Sequence, residues 1–216
     1  GEMFWDSGNT GSATLNKNVT TYDATIKHSG NYSAKLQSQY VALFGIGAFA
    51  AGNVFVGKFL KIDGTDGILR FGRPFTSRPS KLVLYYRYVA GTVDYSTLSE
   101  LPKNSKDMGS IYIALGDWPH QTFEGETDIP VLVKTKPADR QLFDSNSSNV
   151  IGYGECILKE STEGEGLIKL EIPINYRSNR KPTDIILVGS ASRYGDYFTG
   201  STGSTLWLDD LELIYE

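Results

Sequence analysis

The sequence predicts an all-β fold, a two-sheet sandwich with jelly-roll connections, from three observations. Apolar residues recur at every second position in several separate runs, which is the spacing of half-buried strands. No segment holds a convincing apolar period of 3.6 residues, so we expect very little helix. Clusters of Gly, Pro, Asn, Asp and Ser separate the runs and supply turns. We interpret residues 1–216 as a single jelly-roll domain.

Alternation is clearest in six runs. These are SAKLQSQYVAL, KLVLYYRYV, SIYIALGDW, LIKLEIPINY, TDIILVGSAS and STLWLDDLELIYE. Pro173 lies inside the fourth run and cannot donate to a strand ladder, so it predicts an edge strand or a bulge. The polar segments 91–109 and 118–149 are too long for hairpin turns, and loops of that length usually cover or build a site.

Composition and charge narrow the function. A formal net charge of -4 and a pI near 5.3 give no support for nucleic acid or an anionic membrane as partner. No apolar run reaches the ~20 residues that a transmembrane helix needs. Cys156 is the only cysteine, which excludes an intrachain disulfide and a cysteine-based metal cluster. We predict no cofactor. A structural calcium at Asp209 or Asp210 is less favoured than hydrogen bonds that nearby backbone amides donate to those carboxylates.

The strand KLVLYYRYV carries the first candidate binding residues. Tyr86 and Tyr88 continue the face of Leu82 and Leu84, so that face changes from aliphatic to aromatic along its length. A tyrosine ring can stack on a sugar while its hydroxyl bonds to the sugar hydroxyls. Aromatic residues also favour strands and fill sandwich cores. The sequence leaves binding and packing open for this pair.

Two arginines and a strand end add further candidates. Arg73 and Arg78 each precede a proline, which favours an extended conformation. An arginine held in this way is a good bidentate donor to a carboxylate or to vicinal hydroxyls. The alternative is an internal salt bridge. Asp117 and Trp118 lie where a strand enters a long loop, and Trp118 either stacks on a glycan or seals the end of the sandwich.

The segment IGYGECI predicts a hydrated sheet face. Tyr153 and Glu155 share one side of it, opposite Gly152, Gly154 and Cys156. Small residues on one side predict that another sheet packs closely there. Glu155 would bond sugar hydroxyls on the other side or pair with an arginine of the RPFTSRP turn.

No catalytic motif is evident. The sequence has no Ser-His-Asp order, phosphate-binding loop or HExxH motif. A glycosidase needs two carboxylates ~5–9.5 Å apart in a cleft. Asp117, Glu155 and Asp196 are the candidates, but the sequence does not show which of them face each other. We therefore lean towards a non-catalytic domain.

Several motifs in order resemble one known family. GNVFVGKF, FGRPFTSRP, LYYRY, IGYGE, IPINY and the block 182–216 are similar to the putative carbohydrate metabolism domain of Bacteroidetes surface proteins. The resemblance implies a β jelly roll of the kind found in carbohydrate-binding modules. It also implies an exported lipoprotein, in the periplasm or at the outer-membrane surface, with an Ig-like domain before this one. The matching motif residues are Arg73, Pro74, Phe75, Arg78, Pro79, Tyr86, Tyr88, Glu155, Tyr176, Asp196, Tyr197, Phe198 and Asp210.

We interpret the chain as a glycan-binding domain whose partner is an oligo- or polysaccharide. The alternatives are a glycoside hydrolase or lyase with a carboxylate pair in the same pocket, and a structural or adhesive surface domain. The candidate ligand-binding residues are Arg73, Arg78, Tyr86, Tyr88, Asp117, Trp118, Tyr153, Glu155, Asp196 and Tyr197.

Overall fold

The computed structural model describes residues 3–13, 17–43 and 46–215. Helix is limited there to one turn, α1 (Asn9–Ser12), and to 3-10 turns at Pro137–Asp139 and Gly195–Tyr197. None of the helices that the structure describes has the length and apolar character needed to cross a bilayer. The strands are β1 (Trp5–Asp6), β2 (Thr20–Asp23), β3 (Ser33–Gln37), β4 (Gln39–Leu43), β5 (Ile46–Ala50), β6 (Asn53–Asp63), β7 (Asp66–Phe71), β8 (Arg73–Pro74), β9 (Lys81–Val89), β10 (Gly109–Gly116), β11 (Gln121–Phe123), β12 (Glu126–Ile129), β13 (Val131–Lys134), β14 (Val150–Leu158), β15 (Ile168–Pro173), β16 (Asn175–Tyr176), β17 (Asp184–Ser190) and β18 (Thr205–Ile214).

These strands form two main antiparallel sheets. Sheet A has the order β13-β7-β6-β17-β10-β14-β16, with β1 paired to β6 and β8 paired to β17. Sheet B has the order β15-β9-β18-β3-β2. The hairpins β4–β5 and β11–β12 lie outside both sheets.

The path of the chain between the sheets is that of a jelly roll. It runs from β3 in sheet B to β6 in sheet A, returns to β9, and crosses to β10 and β14. It then visits β15 in sheet B, β17 in sheet A and β18 in sheet B. The neighbours β6-β17-β10-β14 in one sheet and β3-β18-β9-β15 in the other are the two halves of that fold. The predicted all-β sandwich of jelly-roll type is confirmed.

Sheet A buries apolar side chains on both of its faces. Its inner face packs on sheet B in a core that includes Leu36, Val56, Leu82, Leu84, Ile111, Ile113, Ile185, Leu187, Leu206 and Leu208. Its outer face carries a second cluster that includes Phe55, Leu69, Phe71, Ala114, Ile186 and Val188. Because alternate residues of a strand point to opposite faces, β10 supplies Ile113 to the inner face and Ala114 to the outer face.

Close sheet packing behind β14, which the glycines predicted, is confirmed. A Cβ atom added to Gly154 would lie 2.4 Å from the carbonyl oxygen of Pro173, and one added to Gly152 would lie 2.9 Å from the Tyr176 ring. Pro173 ends β15, the strand at one edge of sheet B, so the predicted edge position is confirmed as well.

The acidic pair in β18 forms the hydrogen bonds expected of it. Asp209 Oδ2 accepts from the backbone N–H of His28 at 2.8 Å and from that of Ser29 at 3.3 Å. Asp210 accepts from the Ser29 hydroxyl at 2.9 Å and lies 2.6 Å from Nδ1 of His28. These contacts tie the loop after β2 to a bulge in β18, where Asp210 has φ 47°.

Candidate functional site

A cavity of about 460 Å³ opens on the outer face of sheet A. Its floor is built by strands β6, β7, β10 and β17, whose register places outward side chains next to one another. Val188 in β17 is the direct partner of Phe55 in β6 and of Tyr112 in β10, so these three side chains share the floor. Helix α1 and the β4–β5 hairpin supply wall residues, among them Ser12 and Phe49.

The loop after β17 supplies charged groups to the cavity rim. Arg193 forms a close ion pair with Glu155 of β14. Asp196 lines the cavity and is exposed to solvent, although neighbouring protein atoms partly desolvate its carboxyl. This desolvation raises the pKa of Asp196 to about 6, although the nearby Arg140 guanidinium acts in the opposite direction. The pKa of Asp196 thus lies closer to neutral pH than that of an ordinary aspartate.

A row of aromatic side chains extends from the cavity floor across β10 and β14. Tyr112 stacks on Phe143, with centroids 5.3 Å apart and an interplanar angle of 8°, and its ring lies 6.1 Å from that of Tyr153. Trp118 meets Phe143 edge-on at 6.2 Å. We call Tyr112, Phe143, Tyr153 and Trp118 the aromatic row. Burial raises the pKa of Tyr153 to about 12, with Glu155 adding to the shift, so its hydroxyl stays protonated.

The model of the family described as Putative carbohydrate metabolism domain matches residues 1–214. The chain belongs to this family. A comparison with curated proteins finds no match.

Two solved structures share the fold of this carbohydrate-metabolism domain. One is described as a putative glycoside hydrolase from Bacteroides thetaiotaomicron, with a TM-score of 0.69 and 22% identity. The comparison covers 98% of this chain and 63% of that one, so the domain spans less than two thirds of that protein. The other is described as a putative glycoside hydrolase from Bacteroides vulgatus, with a TM-score of 0.69, 24% identity, and coverage of 98% of this chain and 85% of that one.

Four of the candidates predicted from sequence lie together near this rim. Tyr153 and Glu155 point to the outer face from β14, and Glu155 lies opposite Tyr112 of β10 in the strand register. Asp196 lines the cavity, and the next residue, Tyr197, lies under the Arg140 guanidinium at 4.6 Å from its ring centroid. The domain thus brings aromatic and charged groups from distant parts of the chain into one region.

The two arginines of the RPFTSRP turn lie elsewhere. Arg73 is buried and donates to the carbonyl oxygens of Met3 at 2.5 Å and Gly57 at 3.0 Å. Arg78 donates to the carbonyl oxygens of Arg180 and Ser178 at 2.5 and 2.9 Å. Neither arginine lines the cavity. The predicted pairing of Glu155 with one of them is wrong, because Glu155 pairs with Arg193.

The tyrosines of β9 face the sandwich core. Tyr88 is 0% exposed, and its hydroxyl donates to the carbonyl oxygen of Ala191 at 3.0 Å. Tyr86 is half-buried and packs against the same core. The change from aliphatic to aromatic along this face therefore does not mark a transition from core to open surface. Neither tyrosine lines the cavity.

Asp117 and Trp118 lie at the other end of the outer face. Asp117 pairs with Arg180, Oδ2 to Nη1, at 2.6 Å. Trp118 is 8% exposed and packs into the outer-face cluster, beside a shallower hollow that it shares with His120 and Phe143.

Sequence reasoning missed Tyr112, Phe143, Arg140 and Arg193. The register of β10 against β14 was the missing information, since Tyr112 and Glu155 are direct partners across it. Alternation in SIYIALG already separates Tyr112 from the core residues Ile111 and Ile113. Among residues 3–13, 17–43 and 46–215, no group of three or more His, Cys, Asp or Glu side chains is placed to hold a metal ion.

Proposed function

We propose that this carbohydrate-metabolism domain binds an oligo- or polysaccharide on the outer face of sheet A and does not cleave it. The observation that carries the proposal is the contact between the aromatic row and the charged rim: Tyr112 and Tyr153 lie beside Glu155 and Arg193. An aromatic face suits the apolar C–H face of a sugar ring, and charged groups beside it suit its hydroxyls.

Each side chain has a defined task in this proposal. The ring of Tyr153 stacks on a sugar, its hydroxyl donates to a sugar oxygen, and Arg193 donates to hydroxyls or to a uronic carboxylate. Glu155 accepts hydrogen bonds from hydroxyls. Because sugar hydroxyls exchange water for protein partners at little net gain, the affinity is modest. Export, a lipoprotein anchor, a place in the periplasm or at the outer-membrane surface, and an N-terminal Ig-like domain belong to the same proposal.

A glycan array followed by calorimetric titration tests the proposal. For a saccharide that binds, Tyr153→Ala and Glu155→Gln are each expected to weaken binding at least about ten-fold, the effect of losing a stacking platform or a charged acceptor. The matched control is Tyr22→Ala, at a tyrosine that is 72% exposed on β2, far along the chain from β14. Absence of binding to any saccharide at millimolar concentration, by folded protein, would reject the proposal in favour of a structural or adhesive domain.

A second function, glycoside hydrolysis, is favoured by one specific observation. Asp196 has a pKa raised to about 6, whereas Glu155 is paired with an arginine at the same rim. Glycosidases divide their work between two carboxyl groups, one of which bears the proton that it gives to the leaving group. The two solved structures described above carry the words glycoside hydrolase in their descriptions.

Reducing-sugar release from the bound saccharide separates the two functions. Hydrolysis predicts turnover that Asp196→Asn and Glu155→Gln both abolish, with Asp196→Asn retaining saccharide binding. Binding without turnover by the unmodified protein supports the non-catalytic proposal.

A further inference from the structure

The cavity floor is far more apolar than a saccharide site requires. Its deep lining consists of Phe and aliphatic side chains from several strands: Phe49, Phe55, Phe59, Leu69, Phe71, Val188 and Phe198. A sugar carries hydroxyls around its whole perimeter, and these apolar side chains offer them no partners. Cavities of about 460 Å³ with mostly apolar walls and a few placed polar groups are typical sites for small organic molecules.

Two unpartnered oxygen atoms lie in the wall of this cavity. Ser12 is 4% exposed, and its hydroxyl oxygen is buried without a hydrogen-bond partner in the described part of the chain. Oδ1 of Asp66 is likewise buried and unpartnered there. Both residues line the cavity. A buried polar atom without a partner has lost its hydrogen bonds to water and gained none in the protein, so such atoms call for an explanation.

The chain segments that carry the two oxygens lie on either side of the Phe59 ring. A Cβ atom added to Gly11, the neighbour of Ser12, would lie 3.2 Å from the ring of Phe59. One added to Gly67, the neighbour of Asp66, would lie 3.1 Å from the same ring. The ring of Phe59 therefore lies between the two chain segments that carry the oxygens. Burial, and to a lesser extent Asp63, raises the pKa of the Asp66 carboxyl, which favours a form that both donates and accepts.

The geometry points to a second binding function for this cavity: it takes an uncharged apolar ring system or chain that carries a hydroxyl group. The apolar body lies on the Phe55 and Val188 floor. The hydroxyl lies beside the Phe59 ring, where it hydrogen-bonds to Ser12 or, in a second orientation of the ligand, to Asp66. This function goes beyond saccharide binding and does not depend on it. Tyr112 lines the cavity and also belongs to the aromatic row, so a glycoside with an apolar aglycone would reach both sites.

The test compares 2-naphthol with naphthalene, which share an apolar body and differ by the hydroxyl. Titrations followed by probe fluorescence and by protein NMR are expected to show that both bind, with 2-naphthol about ten-fold tighter. Ser12→Ala is expected to remove most of this preference without lowering the melting temperature, because no hydrogen bond of the free protein is lost. Asp66→Asn changes the hydrogen-bonding group on the other side of the Phe59 ring and is expected to reduce the preference as well.

Two further variants complete the design. Val188→Phe fills the floor and is expected to weaken both probes together; its melting temperature shows whether it remains folded. Ser99→Ala changes an exposed serine in the loop 91–109 and is expected to leave both titrations unchanged. Equal affinities for the two probes in the unmodified protein would overturn the role of Ser12 and Asp66. Failure of both probes to bind would overturn the cavity as a small-molecule site and favour occupation by protein chain, while leaving the saccharide proposal intact.

Discussion

Asp107 is the residue whose replacement should disturb both the stability and the site of this domain. It is 0% exposed, and its Oδ2 accepts hydrogen bonds from the hydroxyl of Ser192 at 2.6 Å, the backbone N–H of Ser201 at 2.8 Å and the hydroxyl of Ser204 at 2.8 Å. Its Oδ1 accepts from the N–H of Met108 at 2.8 Å. A single carboxylate thus fastens the segment 192–204 to the start of β10.

The cost of Asp107→Ala follows from the donors that lose their acceptor. Ser192 keeps a partner, because its hydroxyl lies 2.7 Å from that of Ser38. The backbone N–H groups of Ser201 and Met108 and the hydroxyl of Ser204 lose theirs. Each buried donor left without an acceptor costs roughly 1–3 kcal/mol. Part of this cost is offset, because the variant no longer has a carboxylate that must be desolvated. We therefore expect the free energy of unfolding to fall by about 3–5 kcal/mol.

Urea denaturation measures this loss. With a slope of about 2–3 kcal/mol per molar urea, the midpoint should fall by about 1–2 M. Asp94→Ala is the matched control, since the exposed Asp94 accepts from the backbone N–H of Thr202, in the same segment, at 2.9 Å; it should cost less than about 1 kcal/mol. Saccharide binding should also weaken in Asp107→Ala, because Arg193 follows Ser192, which Asp107 holds in place, and would be displaced with it. A loss below about 1 kcal/mol for Asp107→Ala would refute this account of the network.

Three further predictions concern single residues. Tyr88→Phe removes the hydrogen bond to the Ala191 carbonyl and should lower the free energy of unfolding, measured by urea denaturation, by roughly 1–2 kcal/mol. Saccharide affinity measured by calorimetry should not change. A weaker affinity would show that Tyr88 takes part in saccharide binding. Gly154→Ala drives a methyl group against the Pro173 carbonyl and should lower the free energy of unfolding by about 1–3 kcal/mol, whereas an unchanged melting temperature would contradict the close approach. The pKa of Asp196 is raised from 3.8 to about 6, so its contribution to stability is fully present below pH 3.8 and is lost as the pH rises through about 6. Melting curves of Asp196→Asn should lack this decline, and identical pH profiles for the two proteins would refute it.

The strands of this domain could be predicted because alternation is a local property. KLVLYYRYV corresponds to β9, and SIYIALGDW and TDIILVGSAS match β10 and β17 to within two residues at each end. Pro173 likewise indicated an edge strand, because proline has no backbone N–H to donate to a neighbouring strand, whatever the sheet. The jelly-roll topology followed from the number and brevity of such runs.

The candidate site was predictable only in part, since it depends on which strands become neighbours. Tyr153 and Glu155 were found from alternation within one strand, but their neighbour Tyr112 required the β10–β14 register. Arg73 and Arg78 looked available for a ligand, whereas the structure directs them to backbone carbonyls. A sequence does not show which backbone carbonyl oxygens a fold leaves without hydrogen-bond donors. An arginine that donates to such carbonyls therefore looks the same in the sequence as one that binds a ligand.

The edge position of β15 has a consequence for how the domain behaves when crowded. An unpaired edge strand can recruit a strand from another molecule and begin aggregation. Lys169 and Glu171 are exposed on β15 and pair with each other at 2.6 Å, and Pro173 offers no N–H to an incoming strand. A second chain that added there would have to desolvate these charges and would gain an incomplete ladder. We therefore expect copies of the domain to tolerate high local density without joining edge to edge.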